Sequence, residues 1–581
     1  MRSKRAYFWV TLAFVVGSVA ILKSSAYVVT FAFVLMISLA LAQSWDWVGG
    51  LAGYINLGHF AFYGIGAYAF GIFAKWGIPV PISLTLAAGT CAVIAIALSF
   101  PLFRMRGDYF AFATLALLPF AELLGFNLTN VTGGADGLSI PPATSLSTTY
   151  ICAAVLALST IVCTLAMLKN RFGYALRSIK EDEQAAEVVG VPVWSTKVAI
   201  LTMSAVVAAL AGGVQAWQFS YIDPPTVFGL QVGLVPIAMA LLGGSGLLLG
   251  PLVGVVLLSC LQQWLLVNVT MLQATIYGVV MLLVGRFLPG GLLRAKFIRL
   301  IPFLQHFSRT SHVAIHDREG RKLAGNPVQS KVVSSSGALL ELRDVRMAFG
   351  GNIALRAVST SIWPGEIVGL IGTNGSGKTT LFNCISRVYR SEGTVLFEDS
   401  DVSGFSRAKI CHAGIGRTFQ NPKPFSDLTT LENIAVAAMF RPDRLSLTDC
   451  FDEAASYANF VGLGERLNVR SADLGLQERK SLELARALAL KPKLLLVDEI
   501  ASGLTPVEIR QFVDKMKLIR DLYGVTIIWV EHIFSALAQA ADRLIVMEQG
   551  AIIADGSIEE TINNQRVIES YLGSEADRVT G

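Results

Sequence analysis

Charge is scarce where this chain begins. Residues 1–293 hold only 22 of its 89 Asp, Glu, Lys and Arg residues, and the other 67 fall in residues 294–581. With 53% hydrophobic residues and a mean hydropathy of +0.57, the chain is too apolar to be wholly soluble, and at 581 residues it is too long for one ordinary domain. Close cysteine pairs are also lacking. The seven cysteines (Cys91, Cys152, Cys163, Cys260, Cys384, Cys411, Cys450) are scattered, which excludes a disulfide framework or a thiolate metal clip and leaves them as small core residues. Met1–Leu22 has a basic start and an apolar run, but Lys23-Ser-Ser25 offers no small-residue cleavage site, so it reads as a retained first span. The net charge of +5 is modest, and the bases sit mostly at segment ends. That pattern sets membrane orientation and argues against nucleic acid as a partner.

A bilayer core of about 30 Å takes roughly 20 apolar residues per helix. Ten candidate spans follow, near 6–22, 26–44, 53–74, 80–100, 109–125, 148–168, 196–217, 230–248, 251–267 and 270–288. Lys and Arg mark cytoplasmic loops. Arg2, Lys4 and Arg5, then Arg104 and Arg106, then Lys169, Arg171, Arg177 and Lys180, then Arg294, Lys296 and Arg299 all fall on one side of this topology. The polar, Gly-rich loop near 126–147 falls on the other and is placed to meet an external partner.

Ionisable residues within spans are functional candidates, because a lone charge in hydrocarbon costs several kcal/mol. His59 and Glu122 are the clearest, either as substrate contacts or as groups that snorkel or bond a neighbouring helix. The glycines at 49, 50, 53, 58, 64, 66 and 71 read either as close helix packing or as an interrupted helix lining a path. Residues 170–192 form the longest internal loop and read as an amphipathic helix. Ala185, Val188 and Val189 share a face, Gly190 suits a C-terminal cap and Pro192 blocks continuation. Such a helix reads either as a docking point for an ATPase or as a solvated loop stabilised by charge pairs. Residues 294–337 mix bases with Pro, Gly and Ser without periodicity and read as a tether.

Ile367-Val-Gly-Leu-Ile371 is a buried-strand pattern running into Gly372-Thr-Asn-Gly-Ser-Gly-Lys-Thr379, with a helix from Thr380. Strand, Gly-rich loop and helix in this order cradle phosphates on backbone N–H groups. Lys378 is placed to reach the β- and γ-phosphates of ATP, and Thr379 to give its hydroxyl to Mg2+. A second strand, Leu494-Leu-Leu-Val-Asp-Glu499, ends in two carboxylates: Asp498 for the magnesium shell and Glu499 to orient the attacking water and accept its proton. A third, Thr526-Ile-Ile-Trp-Val530, delivers His532 to sense the γ-phosphate. Gln420 lies between the phosphate loop and the carboxylates, in reach of metal or water.

In this order and spacing, Lys378, Gln420, Asp498, Glu499 and His532 resemble an ABC ATPase throughout residues 338–573. Gly503-Leu-Thr-Pro506 and Phe349-Gly-Gly resemble the D-loop and adenine-stacking region of the branched-chain amino acid importers, of which the LivG-type ATPase is the nearest subtype. The first half resembles their LivM-type permease, through Gly53-Tyr-Ile-Asn-Leu-Gly-His-Phe-Ala-Phe-Tyr-Gly-Ile-Gly-Ala-Tyr68, Arg106-Gly-Asp-Tyr-Phe110, Thr132-Gly-Gly-Ala-Asp-Gly137, Arg171-Phe-Gly-Tyr-Ala-Leu-Arg177 and Leu242-Gly-Gly-Ser-Gly246. The resemblance implies a polytopic all-α transmembrane permease (1–293), a linker (294–337), an α/β P-loop ABC nucleotide-binding domain (338–573) and a short tail (574–581). It implies nucleotide contacts at Phe349, Gly372, Asn374, Gly375, Ser376, Gly377, Lys378, Thr379 and Thr380, and metal contacts at Thr379, Gln420 and Asp498. It makes 170–192 the coupling loop, with Glu183, Ala185, Ala186 and Gly190 at the ATPase.

Two departures stand out. The family's L-S-G-G-Q signature corresponds to Leu474, Gly475, Leu476, Gln477 and Glu478, so a phosphate-bonding Ser and a Gly are missing. Each ATP of an ABC dimer lies between one subunit's phosphate loop and the other's signature, so this change weakens the partner's site and spares this chain's own. Ile500 stands where many members carry Pro. One permease and one ATPase are half a transporter, and the asymmetric signature favours a LivH-type permease and a LivF-type ATPase as companions over a homodimer. The expected setting is the bacterial inner membrane, with lipid around the spans, the ATPase in the cytoplasm and an external binding protein delivering the solute. The expected solute is a branched-chain amino acid or a related small polar molecule. Urea, amides, small carboxylates and an ATP-gated, non-pumping regulator are the alternatives.

Overall fold

A computed structural model describes residues 17–18, 20–268, 273–287, 290–294, 337–500, 505–531 and 534–569. The expected first span (mostly), nearly all of the 294–337 linker, Gly503, Leu504, His532 and the 574–581 tail lie outside these residues. The chain divides into two compact units, one within Met1–Lys180 and Trp194–Glu319, the other within Glu181–Val193 and Gly320–Gly581.

The first unit is helical because its long apolar runs leave the backbone to bond within each segment, and hydroxyls inside the helices bond back to carbonyls one turn earlier, as Thr30 to Ala26 O and Thr90 to Leu86 O, each at 2.9 Å. Among the described residues, seven helices are long and apolar enough to cross a membrane: Ala26–Leu51, Val80–Leu102, Asp108–Asn127, Leu146–Lys169, Val193–Phe219, Pro224–Gly243 and Gly250–Asn268. Ten spans were expected. Two further helices occupy expected spans but are short, His59–Lys75 with 17 residues and Gln273–Phe287 with 15. At 1.5 Å per residue these reach only about 26 and 23 Å. The first is short because 52–58 leaves the helix: Gly53 takes φ +80°, and Tyr54 N donates to Val48 O at 3.0 Å.

Side chains satisfy this irregular stretch. Gly58 N donates to Asn56 Oδ1 (3.0 Å), Leu57 N to Thr114 Oγ1 (3.1 Å), and Trp45 Nε1 to Asn56 O (2.7 Å). Non-helical backbone in a membrane unit is tolerated where its polar groups are bonded within the protein in this way. The helix is thus interrupted at 52–58 and packs closely beyond it, as at Gly66, where a Cβ would lie 2.3 Å from Ala209 Cα. On the far side, β1 (Leu138–Ser139) pairs antiparallel with β2 (Tyr221–Ile222). Two long helices separate them in sequence, so the pairing agrees with a topology that puts both on one face.

The expected single helix over 170–192 is instead two, Arg171–Glu181 and Glu183–Val188. Asp182 breaks it. Its φ is −157°, and its side chain accepts from Ala185 N at 2.8 Å, the N-cap arrangement that competes with helix continuation.

The second unit is α/β. A six-stranded sheet has the order β12-β11-β5-β10-β9-β8, with β5 Ile367–Gly372, β8 Ile415–Arg417, β9 Leu494–Asp498, β10 Thr526–Val530, β11 Arg543–Glu548 and β12 Ala551–Gly556. All but the β11–β12 pair are parallel. Strands β5, β9 and β10 are buried along their whole length, which is why they read as unbroken apolar runs. A second sheet, β4-β3-β6-β7, is antiparallel (β3 Leu340–Phe349, β4 Asn352–Ile362, β6 Glu392–Phe397, β7 Ser400–Asp401).

Glycine sets how closely helices approach in the first unit. A Cβ on Gly212 would lie 2.0 Å from Tyr63 O, whereas one on Gly89 meets nothing within 4 Å. Gly212→Ala is therefore expected to lower detergent stability by about 1–3 kcal/mol through overpacking, while Gly89→Ala stays neutral or stabilises. Thermal melting of the purified chain checks the contrast, and equal behaviour of the two variants counts against it.

Candidate functional site

In the central sheet, parallel register puts Leu370, Val530 and Asp498 at one level, so the segments after β5, β9 and β10 emerge at the same edge. Carboxyl ends of parallel strands are where such folds place their ligands. After β5 the chain turns tightly against β11. A Cβ on Gly372 would lie 2.3 Å from Met547 O, and Gly377 takes φ +103° immediately before the Lys378–Ile385 helix. Neither position accepts a side chain. Lys378 is buried and folds back over the loop, its Nζ donating to Gly372 O (2.8 Å) and Thr373 O (3.1 Å). Burial pulls its pKa down, against the attraction of Glu499 and Asp498. Ser376 is buried with its Oγ lacking a hydrogen-bond partner. Asn374, Gly375 and Thr379 are exposed and Thr380 is half-buried. Phe349, 44% exposed at the end of β3, meets Tyr389 edge-on at 5.1 Å.

The two carboxylates differ. Asp498 is buried and its Oδ2 accepts from Arg417 Nη2 at 3.2 Å, while Oδ1 has no hydrogen-bond partner. Burial pushes the Asp498 carboxyl up and the Arg417 guanidinium down, so each charge is only partly compensated. An orphaned carboxylate oxygen beside a lysine and an orphaned serine hydroxyl fits a site made for a phosphate and a divalent cation. Glu499 is half-buried, with a left-handed φ of 46°, rare for a non-glycine residue. Its N–H donates to Val530 O (3.0 Å), its Oε2 accepts from Gln420 Nε2 (2.5 Å), and Lys480 Nζ braces the next carbonyl, Ile500 O, at 2.9 Å. The structure thus brings Lys378, Gln420, Asp498 and Glu499 to one edge.

The signature segment starts a helix, Leu476–Ala489. Leu474 is buried, Gly475 and Gln477 are exposed, and Leu476 is 63% exposed. Glu478 turns back on this end, its Oε2 accepting from Gly475 N at 2.9 Å and its Oε1 from Arg466 Nε at 3.0 Å.

One loop, Arg417–Ser426, does more than sequence reasoning assigned to it. Arg417 also donates to Asn383 Oδ1 (2.6 Å) and Ser386 Oγ (2.8 Å), and Thr418 Oγ1 accepts from Asp498 N (3.2 Å). Further along, Lys423 Nζ pairs with Asp182 Oδ2 (2.8 Å) and Ser426 N donates to Glu181 Oε2 (3.1 Å). The Glu183–Val188 helix is closed at its far end by Gly190 N→Glu187 O (3.0 Å) and Val191 N→Ala186 O (3.0 Å), with Gly190 at φ +85°. Ala185 and Ala186 are wholly buried, and Glu187 pairs with Arg407 at 2.8 Å. A Cβ on Gly190 would come 2.9 Å from His412 Nε2.

In the first unit, His59 is the neighbour-bonded histidine of the two readings. It is fully buried, with Ser44 Oγ at 3.2 Å from Nε2 and Ser204 Oγ at 3.1 Å from Nδ1. Glu122 is half-buried. Two buried charges escaped the sequence reading. Asp46 accepts the Gly246 N–H on both oxygens (2.8 and 3.0 Å), and Lys197 Nζ donates to Tyr54 OH (2.9 Å) over the Tyr54 and Phe103 rings, each 5.0 Å away. Lys197 lay within an expected span, and that alone was the available signal.

A helical membrane unit joined to a phosphate-loop sheet with paired strand-end carboxylates defines an ATP-driven membrane transporter. Residues 27–285 match the family described as branched-chain amino acid transport system / permease component, and residues 355–502 match the ABC transporter family. The high-affinity branched-chain amino acid transport ATP-binding protein LivG of Escherichia coli is 34% identical over 252 residues, covering 41% of this chain and 99% of LivG. BraF of Pseudomonas aeruginosa, with the same description, is 32% identical over 252 residues, covering 41% of this chain and 99% of BraF. Among solved structures, the ADP conformation of MJ1267, an ATP-binding cassette of an ABC transporter, is 29% identical and aligns over 41% of this chain and 99% of that one, with a TM-score of 0.37. The chain belongs to the branched-chain amino acid transport family of ABC transporters, as a permease fused to an ATP-binding cassette. It is a multi-pass membrane protein whose cassette binds nucleotide and hydrolyses ATP to drive transport, within a multi-subunit complex.

A raised carboxyl pKa in the folded state means that stability is greatest at low pH and declines as pH rises through the ordinary carboxylate range towards the folded value. Ionisation of Asp498 therefore costs stability on the alkaline side of that range, while its charge offsets that of the buried Arg417 guanidinium. Asp498→Asn is expected to flatten this part of the dependence of melting temperature on pH. A variant whose melting temperature follows pH as the original chain does counts against this assignment.

Proposed function

We propose that this chain is half of an importer that takes up a branched-chain amino acid or a related small polar solute from an external binding protein, in the bacterial inner membrane. A LivH-type permease and a LivF-type ATPase complete the complex, and residues 294–337 tether the cassette. The observation that carries this reading is the Arg417–Ser426 loop, which touches the strand-end carboxylates at one end and the coupling segment at the other. A change at the phosphate edge is passed to the permease through one short piece of backbone.

Within this reading each residue has a task. Phe349 stacks on adenine. Gly372, Asn374, Gly375, Ser376, Gly377 and Thr380 shape and line the phosphate loop, and Lys378 swings from its own carbonyls to the β- and γ-phosphates. Thr379, Asp498 and Gln420 hold Mg2+, which supplies charge neutralisation at the transferred phosphoryl group. Glu499, preset by its backbone and held by Gln420, orients water and accepts its proton. His532 contacts the γ-phosphate. Glu183, Ala185, Ala186 and Gly190 belong to the coupling loop. At the signature segment the helix N-terminus is already bonded by Glu478. A carboxylate seated there repels a partner's γ-phosphate, which supports one strong and one weak ATP site.

Glu499→Gln is expected to retain ATP with near-native affinity while lowering turnover at least a hundredfold; undiminished hydrolysis removes Glu499 from the catalytic role. Deleting 181–190 should abolish transport while leaving the basal hydrolysis of the cassette in place. Vesicles carrying the full complex should accumulate solute against a gradient only with binding protein and ATP. Equilibration without accumulation identifies a gated channel instead.

A further inference from the structure

The coupling segment is acidic: residues 181–193 carry Glu181, Asp182, Glu183 and Glu187 and no Lys or Arg. Three of these acids meet the cassette, Glu187 on Arg407 (2.8 Å), Asp182 on Lys423 (2.8 Å) and Glu181 on the Ser426 N–H (3.1 Å). We infer that these charges are an address: the ion pairs Glu187–Arg407 and Asp182–Lys423 select which cassette this permease half engages, admitting one with cations at both positions and rejecting one without them. The inference rests on the proposed two-cassette complex and concerns partner choice within it.

Apolar contact alone discriminates poorly. The buried apolar part of the segment is Ala185, Ala186, Val188, Val189, Val191 and Val193, small side chains that any cassette with a shallow apolar groove accommodates. The tether does not choose either, because it raises the local concentration of the cassette for every docking point on the same membrane face. Charge does choose. The four paired side chains are 22–37% exposed, so each attraction is modest. Reversing one charge replaces attraction by repulsion, and specificity is built largely from such unfavourable pairings with the wrong partner.

The two pairs have different surroundings. Asp182 also caps the short helix through Ala185 N, and Lys423 is held by the helix bearing the signature, its N–H donating to Glu483 Oε1 (2.9 Å) and its carbonyl accepting from Arg486 (2.8 Å). Altering that pair disturbs helix capping as well as docking. Glu187 and Arg407 are the cleaner test, since the backbone bonds of Glu187 close the helix without its side chain.

The test uses the purified full chain in lipid nanodiscs, with variants E187R, R407E and the double E187R/R407E. Amide hydrogen exchange across 183–191 reports docking whether or not solute moves. Each single variant is expected to exchange about five- to tenfold faster, and the double to return within about twofold of the original chain. Basal ATP hydrolysis should stay unchanged in all three and shows that the cassette is folded. Single variants as protected as the original chain, or a double no better protected than the singles, overturn the proposal. Because R407E also removes the bond to Val388 O, protection in the unaltered chain is measured as salt rises from about 50 to about 500 mM. Loss of protection is expected, and indifference to salt overturns the address. Failure of the importer reading shows separately, as absence of solute accumulation with the exchange pattern intact.

Discussion

The stretch from Arg417 to Ser426 ties the strand-end carboxylates to the 181–193 segment. Its first residue neutralises half of the buried Asp498 carboxylate, its fourth holds Glu499, and its seventh and tenth hold Asp182 and Glu181 of the coupling segment. The stretch is itself pinned from behind, because Arg486, wholly buried against the Phe425 ring, bonds both the Lys423 carbonyl and Glu483. A segment tied at so many points moves as a body or not at all. That constraint makes a small displacement at the phosphate edge sufficient, since packed elements switch between arrangements and do not deform continuously.

The nucleotide edge carries its own strain. Asp498 is bonded to an arginine whose own charge is disfavoured by burial, Ser376 Oγ and Asp498 Oδ1 lack partners, and Glu499 sits in a backbone region that side chains avoid. Strain and unsatisfied polar atoms gather at functional sites because the surrounding fold over-determines them. Here the rigid parallel strands β5, β9 and β10 do so.

The grouping of Lys378, Asp498 and Glu499 at one sheet edge was legible in the sequence because its signals are local: a strand, a glycine loop and a helix follow one another, and each carboxylate sits at the end of an apolar run. Lys378, Asp498 and Glu499 needed only neighbours in the chain. Arg417, Thr418 and Lys480 were invisible as participants because their partners lie some twenty to eighty residues away. In the membrane unit, hydropathy found the helices but missed where they stop. It extended a helix through Gly53–Gly58, whose glycine and asparagine geometry ends it, and it joined two helices across Asp182, where a single side-chain bond wins over helix continuation. Asp46 and Lys197 were passed over because hydropathy averages a lone charge away, while burial depends on the one hydrogen bond that satisfies it.

Glu478, folded onto the Gly475 N–H, bears on how steep a gradient the transporter can sustain. The limiting ratio of solute inside to outside grows exponentially with the free energy spent per solute, so it depends on the number of ATP molecules consumed in each cycle. On the proposed reading of one strong and one weak site, a single hydrolysis would drive each cycle, and that ceiling would become the square root of what two would allow. A carboxylate at the head of one helix would then set the thermodynamic gearing of the transporter: fewer nucleotides per molecule moved, in exchange for a shallower final gradient.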